Sequence, residues 1–455
     1  MPLGRTWQLV AGSAATGLLV AAGAVAAAGP WESGQRTAER SRAGAYDRAT
    51  TVSARSAVSG PVLPPAPTAA PVLLPAGTDA PPARALASRL DPLMSAAGLG
   101  SIRTGAVIDV ATGKSLYDHR GGAATTPAST TKLATAVAAL GMLGPDHRLT
   151  TSVVATAEDR IVLVGGGDPT LDLGQLADDT AAALTARGTT AVRLSYDTSL
   201  YSGSSQHPIG WNENLASVTA LMVDEGRLDH STAGPAQRSY DPAAAAASAF
   251  AGLLRDRGVT VEDWPRPGSG KGGTRLAVHR SAPLSELVER MLTNSDNDLA
   301  EALARHVALA AGEPGSFAGA AKAIPEALRK YGVPLSGAVF RDGSGLDHDD
   351  RLAPVTLARI LALAAAPDHA ELRPVLTGMP VAGFSGTLAE RFRAAPGAGV
   401  VRAKTGTLTG TNTIAGIVVA PSGRLLAFSF MTQETSDPAA AEAALDRLAA
   451  ALTKP

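Results

Sequence analysis

Strand-like runs stand at both ends of this chain, with helical segments between them. TGAVIDVA and SLYDHR (104–120) alternate apolar and polar residues around the turn signal Thr112-Gly113-Lys114. Near the other end, VVRAKTGTL (400–408), TIAGIVVA (413–420) and RLLAFSFMT (424–432) read as strands, the last two joined at Pro421-Ser422-Gly423. Strands early and late with helices between imply one sheet assembled from both ends of a domain. Helical segments bracket it: ARALASRLDPLMSAAG from about Arg84, and DPAAAEAALDRLAAALTK (437–454).

Between these ends, TTPASTTKLATAVAALG reads as a helix, with Thr126 as N-cap, Pro127 at the first helical position and Leu133, Val137 and Leu140 as its apolar stripe. From 149 to 278 the texture changes to short strands, loops and Gly/Pro clusters, the pattern of an inserted, mainly β domain. Helical periodicity returns in SAPLSELVERML (281–292), where Leu284, Leu287, Val288, Met291 and Leu292 share a face, and continues to about Ala366. The expected organisation is a main domain over 84–148 and 279–455, interrupted by the insert.

The N-terminus has its own character. One arginine, Arg5, precedes an apolar run from Leu9 to Ala28 that ends in small residues, the layout of a signal peptide with Ala26-Ala27-Ala28 as its cleavage site. The run also suffices to span a bilayer, so 1–28 reads as a signal peptide or a membrane anchor, and the remainder as exported to the cell envelope. Residues 29–83 are rich in Ala, Pro, Ser and Thr without apolar periodicity, which makes them a semi-extended linker. Zero cysteines exclude thiol catalysis, thiolate metal sites and disulfides. The eight histidines show no ligand spacing, so no metal or other cofactor is expected, and a net charge of −1 offers no footprint for nucleic acid.

Against that background one lysine stands out. Of 40 basic residues only seven are lysines, yet Lys132 sits three residues after Ser129 on the predicted helix. Residues three apart share a helical face, so the amine can reach the hydroxyl. Serine is a poor nucleophile without an adjacent base. Lysine becomes that base only if its pKa falls from about 10.4 toward neutrality, at a cost of about 4 kcal/mol. Burial or a neighbouring cation can supply the shift; arginine cannot be deprotonated at all. With 32 serines in the chain, one S-x-x-K also arises readily by chance. Ser295-Asp296-Asn297 precedes a strong helix and reads equally as ordinary N-capping. Lys404-Thr405-Gly406-Thr407 lies on a predicted strand, where the glycine permits close approach of a ligand; its plain alternative is an edge strand blunted by lysine.

S-x-x-K, S-D-N and K-T-G in this order are the signature set of penicillin-binding proteins and serine β-lactamases. Within that superfamily the chain resembles the D-alanyl-D-alanine carboxypeptidase/endopeptidase family of the penicillin-binding protein 4 type, peptidase family S13. LVGGGDPTL (163–171), YDTSLY (196–201), DGSGL (342–346) and MPVAGFSGTLAERF (379–392) are each similar to family segments, over roughly 85–455. The resemblance implies an α/β (α+β) fold: a β-lactamase/transpeptidase-like catalytic domain with a five-stranded antiparallel sheet flanked by helices. It implies a serine DD-peptidase that cleaves D-Ala-D-Ala, or a diaminopimelate cross-link, in peptidoglycan stem peptides through an acyl-enzyme, with β-lactams as covalent inhibitors. Ser129 would be the nucleophile and Lys132 its base. Ser295 would relay a proton to the leaving amine, and Asn297 would hold the substrate amide and the Lys132 amine. Lys404 would lower the pKa of Lys132, and Thr405 and Thr407, flanking Gly406, would bind the substrate carboxylate. Asp197 would touch substrate from the insert, with a loop Asx-turn as the alternative, and Asp168 would shape a turn. The interval between Ser129 and Ser295 is short for the family, which implies one insert, or one plus a vestige. Asp347-His348 and Thr409 depart from its usual residues. A β-lactamase and a non-catalytic penicillin-binding wall protein are the competing readings.

Overall fold

Alternation along the strands decides the layering. The computed structural model describes residues 83–454 apart from positions 230 and 394. The signal or anchor segment and all but the last residue of the linker lie outside the described residues. Chain order runs α1 (Ala83–Met94), β1 (Ile102–Asp109), β2 (Ser115–His119), a 3-10 turn (Ala128–Thr130) and α2 (Thr131–Leu143). A central segment holds β3 (Thr150–Ala157), β4 (Arg160–Val164), β5 (Asp168–Leu171), α3 (Gly174–Ala186), β6 (Ala191–Asp197), β7 (Leu221–Val223), α4 (Pro242–Asp256), β8 (Thr260–Pro267) and β9 (Thr274–Arg280). Then follow α5 (Leu284–Asn294), α6 (Asn297–Ala310), α7 (Phe317–Lys330), α8 (Pro354–Ala365), α9 (Arg373–Thr377), β10 (Arg402–Leu408), β11 (Thr411–Val419), β12 (Leu425–Gln433) and α10 (Pro438–Ala451).

The first sheet has the order β10-β11-β12-β1-β2, all neighbours antiparallel, so both chain ends do meet in it. Phe428 and Phe430 of β12 pack on one side with Leu86 and Leu90 of α1 and Leu445 and Leu448 of α10. Ala427 and Met431, one position out of phase, face the other side with α2, α5, α6, α7 and α8. The result is a helix–sheet–helix sandwich, with β10 and β2 as its two edge strands.

The second sheet, built wholly within 150–280, has the order β8-β6-β4-β3-β9. Strands β4, β6 and β8 run parallel, with α3 and α4 as the crossovers that parallel pairing demands. The sequence reading did not single out these two helices: their runs are so rich in alanine that the apolar stripe has little contrast. Phe250 of α4 and Leu194 of β6 sit in its own core. Both sheets belong to one compact unit. Among the described residues no helix is long and apolar enough to cross a membrane.

Candidate active site

The stretch expected to begin α2 is not a helical first turn. Ala128 has φ +47°, which interrupts the helix; a single 3-10 turn precedes Thr131, where the α-helix proper starts. Left-handed backbone costs a non-glycine residue about 1–2 kcal/mol. Thr126 does not cap: its Oγ1 donates to the His348 carbonyl and accepts from Arg351. The kinked turn leans on β10 and β11 and leaves the Ser129 side chain half-buried at the cleft, while Ala128 beneath it is fully buried.

From the next turn Lys132 reaches back. Its side chain is wholly buried, and Nζ lies 2.9 Å from Ser129 Oγ, 2.7 Å from Asn297 Oδ1 and 2.7 Å from the Ser344 carbonyl. Burial lowers its pKa to about 8, against the opposing pull of Asp342, Glu301, Asp296 and Asp298. Lys404 is also wholly buried, so it blunts no exposed edge; its Nζ donates to Ser295 Oγ at 2.8 Å and to the Thr405 carbonyl at 2.7 Å. Burial first, and the Lys132 charge second, hold Lys404 well below the ordinary lysine range. Burial is the largest cause at both lysines, and the repulsion between the two buried cations belongs to the pair.

Ser295 ends α5 in the left-handed conformation, φ +58°, and Asp296 caps α6 by accepting from the Leu299 amide at 2.9 Å. The S-D-N stretch is thus a helix junction and a site element together. The tight turn is what aims Ser295 toward β10 and Asn297 toward α2. Asn297 Nδ2 donates one of its two N–H groups to the Asn214 carbonyl of the central segment at 2.9 Å, which fixes the carboxamide and leaves the second N–H at the cleft.

Two glycines let the backbones close up. A Cβ on Gly406 would fall 2.9 Å from both Ser129 N and the Pro127 carbonyl and 2.3 Å from Thr413 Oγ1. A Cβ on Gly345 (φ +79°) would fall 2.0 Å from the Ala128 carbonyl. Behind the 342–346 loop, Glu301 accepts from the Gly343 and Ser344 amides, and Asp342 accepts from the Gly345 and Asp347 amides. Buried His207 meets Asp342 Oδ2 at 2.9 Å, while its Nδ1 accepts from the Ile209 amide. That second bond places the ring proton on Nε2, which then donates to Asp342; the carboxylate itself pulls the His207 pKa up against burial.

The cleft between these elements measures about 580 Å³ and is lined by Ser129, Ser295, Asn297, Thr405 and Thr407, among others. Asp197 is not among them. Its Oδ1 accepts from the Ser199 amide and its Oδ2 from the Gly270 amide, each at 2.8 Å, so it builds an Asx-turn and ties two loops rather than touching substrate. Asp168 forms its expected turn with Thr170. Sequence reasoning missed the carbonyls of Ser344 and Asn214, which carry no side-chain signature. It also missed Thr387, whose hydroxyl meets that of Thr405 at 2.8 Å, and Arg391 and Glu442 on the cleft wall. Thr387 and Arg391 fall inside the quoted 379–392 segment; Glu442 had no signal.

An antiparallel five-stranded sheet between helical layers, with a Ser-x-x-Lys turn against its edge strand, defines a β-lactamase/transpeptidase-like protein. The D-Ala-D-Ala carboxypeptidase 3 (S13) family matches over residues 86–237 and 229–452, and the chain belongs to that family. It is 40% identical over 398 residues to carboxypeptidase DacB of Mycolicibacterium smegmatis, covering 82% of this chain and 84% of that one. It is 31% identical over 438 residues to the D-alanyl-D-alanine carboxypeptidase of Actinomadura sp. strain R39, covering 77% and 80%. In fold it matches the crystal structure of penicillin binding protein 4 from Haemophilus influenzae, with a TM-score of 0.66 and 23% identity over 80% of this chain and 97% of that one.

Proposed function

We propose that this protein is a serine DD-peptidase that cleaves the D-Ala-D-Ala bond of peptidoglycan stem peptides, and stem-peptide cross-links, through an acyl-enzyme on Ser129. One observation carries the reading: the three contacts of Lys132 Nζ. A neutral amine has two N–H donors and one lone pair. The Asn297 oxygen and the Ser344 carbonyl can only accept, so they take both donors. The lone pair is left for the Ser129 hydroxyl at 2.9 Å, which is the geometry of a general base.

Ser129 Oγ attacks the penultimate D-alanine carbonyl as its proton passes to Lys132. The developing oxyanion sits between the backbone N–H groups of Ser129 and Thr407, each such donor being worth about 3 kcal/mol. Collapse breaks the C–N bond; Lys132 gives up the proton it took, and Ser295, bonded to Lys404, relays it to the leaving amine. Water then attacks the ester, the neutral Lys132 takes its proton, and that proton passes to Ser129 Oγ as the acyl C–O bond breaks. Thr405 and Thr407, on one face of β10 beside Gly406, hold the terminal residue. β-Lactams would acylate the same serine. The names of the relatives support the substrate class, and the substrate in turn implies export, with 1–28 as signal or anchor; a sheet and core of its own support reading about 149–278 as an inserted domain.

Digestion of purified monomeric and cross-linked muropeptides, with products weighed by mass spectrometry, tests the proposal. Loss of one alanine, or scission of dimers, is expected. Fluorescent penicillin labelling lost in Ser129→Ala without any muropeptide product would instead mark a non-catalytic binder, and turnover confined to a chromogenic cephalosporin would mark a β-lactamase.

A further inference from the structure

Two aromatic rings stand in solvent on the segments that wall the cleft. Trp211 and Tyr240 stack on each other with centroids 4.5 Å apart and planes 16° from parallel. Tyr240 remains 83% exposed and Trp211 42%, so the outer face of the Tyr240 ring is open. An unsupported surface tyrosine samples several rotamers; the stack holds this ring in one, and a held face binds a ligand at less entropic cost. Asn212 and Leu215 pair across a tight turn, whose Asn214 carbonyl holds Asn297 and whose Leu215 packs with Leu346. The Glu213 carbonyl of the same turn accepts from the Ala236 amide, which ties it to the segment running from Gly234 and Pro235 to Tyr240. Asn214, Gly234, Pro235 and Leu346 all line the cleft. Arg238, buried against Asp298, and Asp241, the N-cap of α4, fix the backbone on either side of Tyr240. The aromatic platform is thus continuous with the cleft.

The chemistry of the platform selects its ligand. The sequence neighbours Asn212, Glu213, Gln237 and Ser239 are polar, and two rings offer far less than the about 800 Å² that each partner buries in a stable protein interface. A pyranose fits both features. One of its faces presents C–H groups to the negative π-face of an aromatic ring, while its hydroxyls meet water and polar side chains at the rim. The stem peptides cleaved in the reading above hang from a chain of such sugars. We propose that Tyr240, backed by Trp211, forms a glycan subsite that stacks on a sugar of the peptidoglycan strand and so favours stem peptides still attached to it. The proposal rests on the DD-peptidase reading, which supplies the sugar.

The test compares an N-acetylated pentapeptide ending in D-Ala-D-Ala with the same pentapeptide carried on a disaccharide, in the full chain and in its Tyr240→Ala and Tyr240→Phe variants. The unaltered protein should prefer the disaccharide form about tenfold in kcat/KM. Tyr240→Ala should bring that ratio near unity through a higher KM for the disaccharide form, and Tyr240→Phe, which keeps the ring, should retain it. Raised salt should leave the ratio as it is, because neither ring nor sugar is charged. A ratio that moves less than about twofold in Tyr240→Ala, or a loss shared equally by both peptides, overturns the glycan subsite while the peptidase reading stands. Cleavage of neither peptide by the unaltered protein overturns the peptidase reading. Saturation-transfer NMR with chitotetraose, a glycan without peptide, then decides the subsite by itself. Transfer in the unaltered protein that is lost in Tyr240→Ala supports it, and transfer absent from the unaltered protein, or equal in both, sinks it.

Discussion

The two five-stranded sheets make an instructive pair. The first is antiparallel, gathers its strands from both ends of the chain, and carries K-T-G on an edge strand. The second is partly parallel, comes from one continuous segment, and keeps its own core around Phe250 and Leu194. What the central segment lends the site comes from its loops: the Asn214 carbonyl on Asn297, His207 on Asp342, and Arg227, Ala233, Gly234 and Pro235 on the cleft wall. Chemistry sits where distant segments are forced together, because only there do a nucleophile, a dry amine and a second lysine converge. The self-contained sheet can be perturbed with its neighbour's geometry largely intact.

Substitutions should separate the two regions, and the largest effect belongs to the first. Ser129→Ala removes the nucleophile and is expected to lower kcat/KM by at least about 10⁴-fold, with loss of penicillin labelling. Lys132→Arg keeps the charge and abolishes the base, for a loss of about 10³-fold in acylation rate. Because the Lys132 pKa is about 8 and acylation needs the free amine, kcat/KM should rise with pH through about 8. Glu301 pulls that pKa upward, so Glu301→Gln should move the rise to lower pH. The stability sign follows the same shift. The unfolded chain holds this proton up to about 10.4 and the folded one only to about 8, so this residue makes stability grow with pH between those values.

Gly406→Ala is next. Its Cβ would push β10 away from Ser129, and a displacement of this order costs about 10²-fold in turnover, measurable by single-turnover acylation. His207→Ala probes the seam between the regions. It leaves buried Asp342 with its backbone donors but without the imidazole, for a loss of about 1–3 kcal/mol in stability and a change in activity of about tenfold, by way of the Ser344 carbonyl. Smallest in activity should be Phe250→Ala: about 3–5 kcal/mol of stability lost by denaturant titration, with kcat/KM below the transition changed less than about twofold. A large fall in kcat/KM for that variant would break the comparison.

Much of the site was legible because its chemistry is carried by residue type and spacing. Ser129 and Lys132 announce each other across one turn, and the scarcity of lysine made Lys132 and Lys404 conspicuous. The start of α2 was misread because Pro127 and Thr126 satisfy every local rule for a helix N-terminus. The packing of Gly345 and Gly406 around Ala128 overrides those rules. Asp197 keeps two readings in the sequence for a related reason. An aspartate near a loop looks the same in sequence whether it faces a ligand or two backbone amides. The helices α3 and α4 escaped notice because alanine forms helix well and marks a buried face poorly.

From composition and order alone came the strands at both chain ends, the three motifs, and the requirement for an amine that can lose its proton. Tertiary structure alone decided which groups surround that amine. The Ser344 carbonyl and the Asn297 oxygen come from two segments remote from the Ser129–Lys132 turn, and their directions are set by backbone turns rather than by residue identity. It likewise decided that a carboxylate from the last helix should meet the Thr407 hydroxyl. Packing brings such pairs together over long separations, and no local pattern records where a folded chain will cross itself.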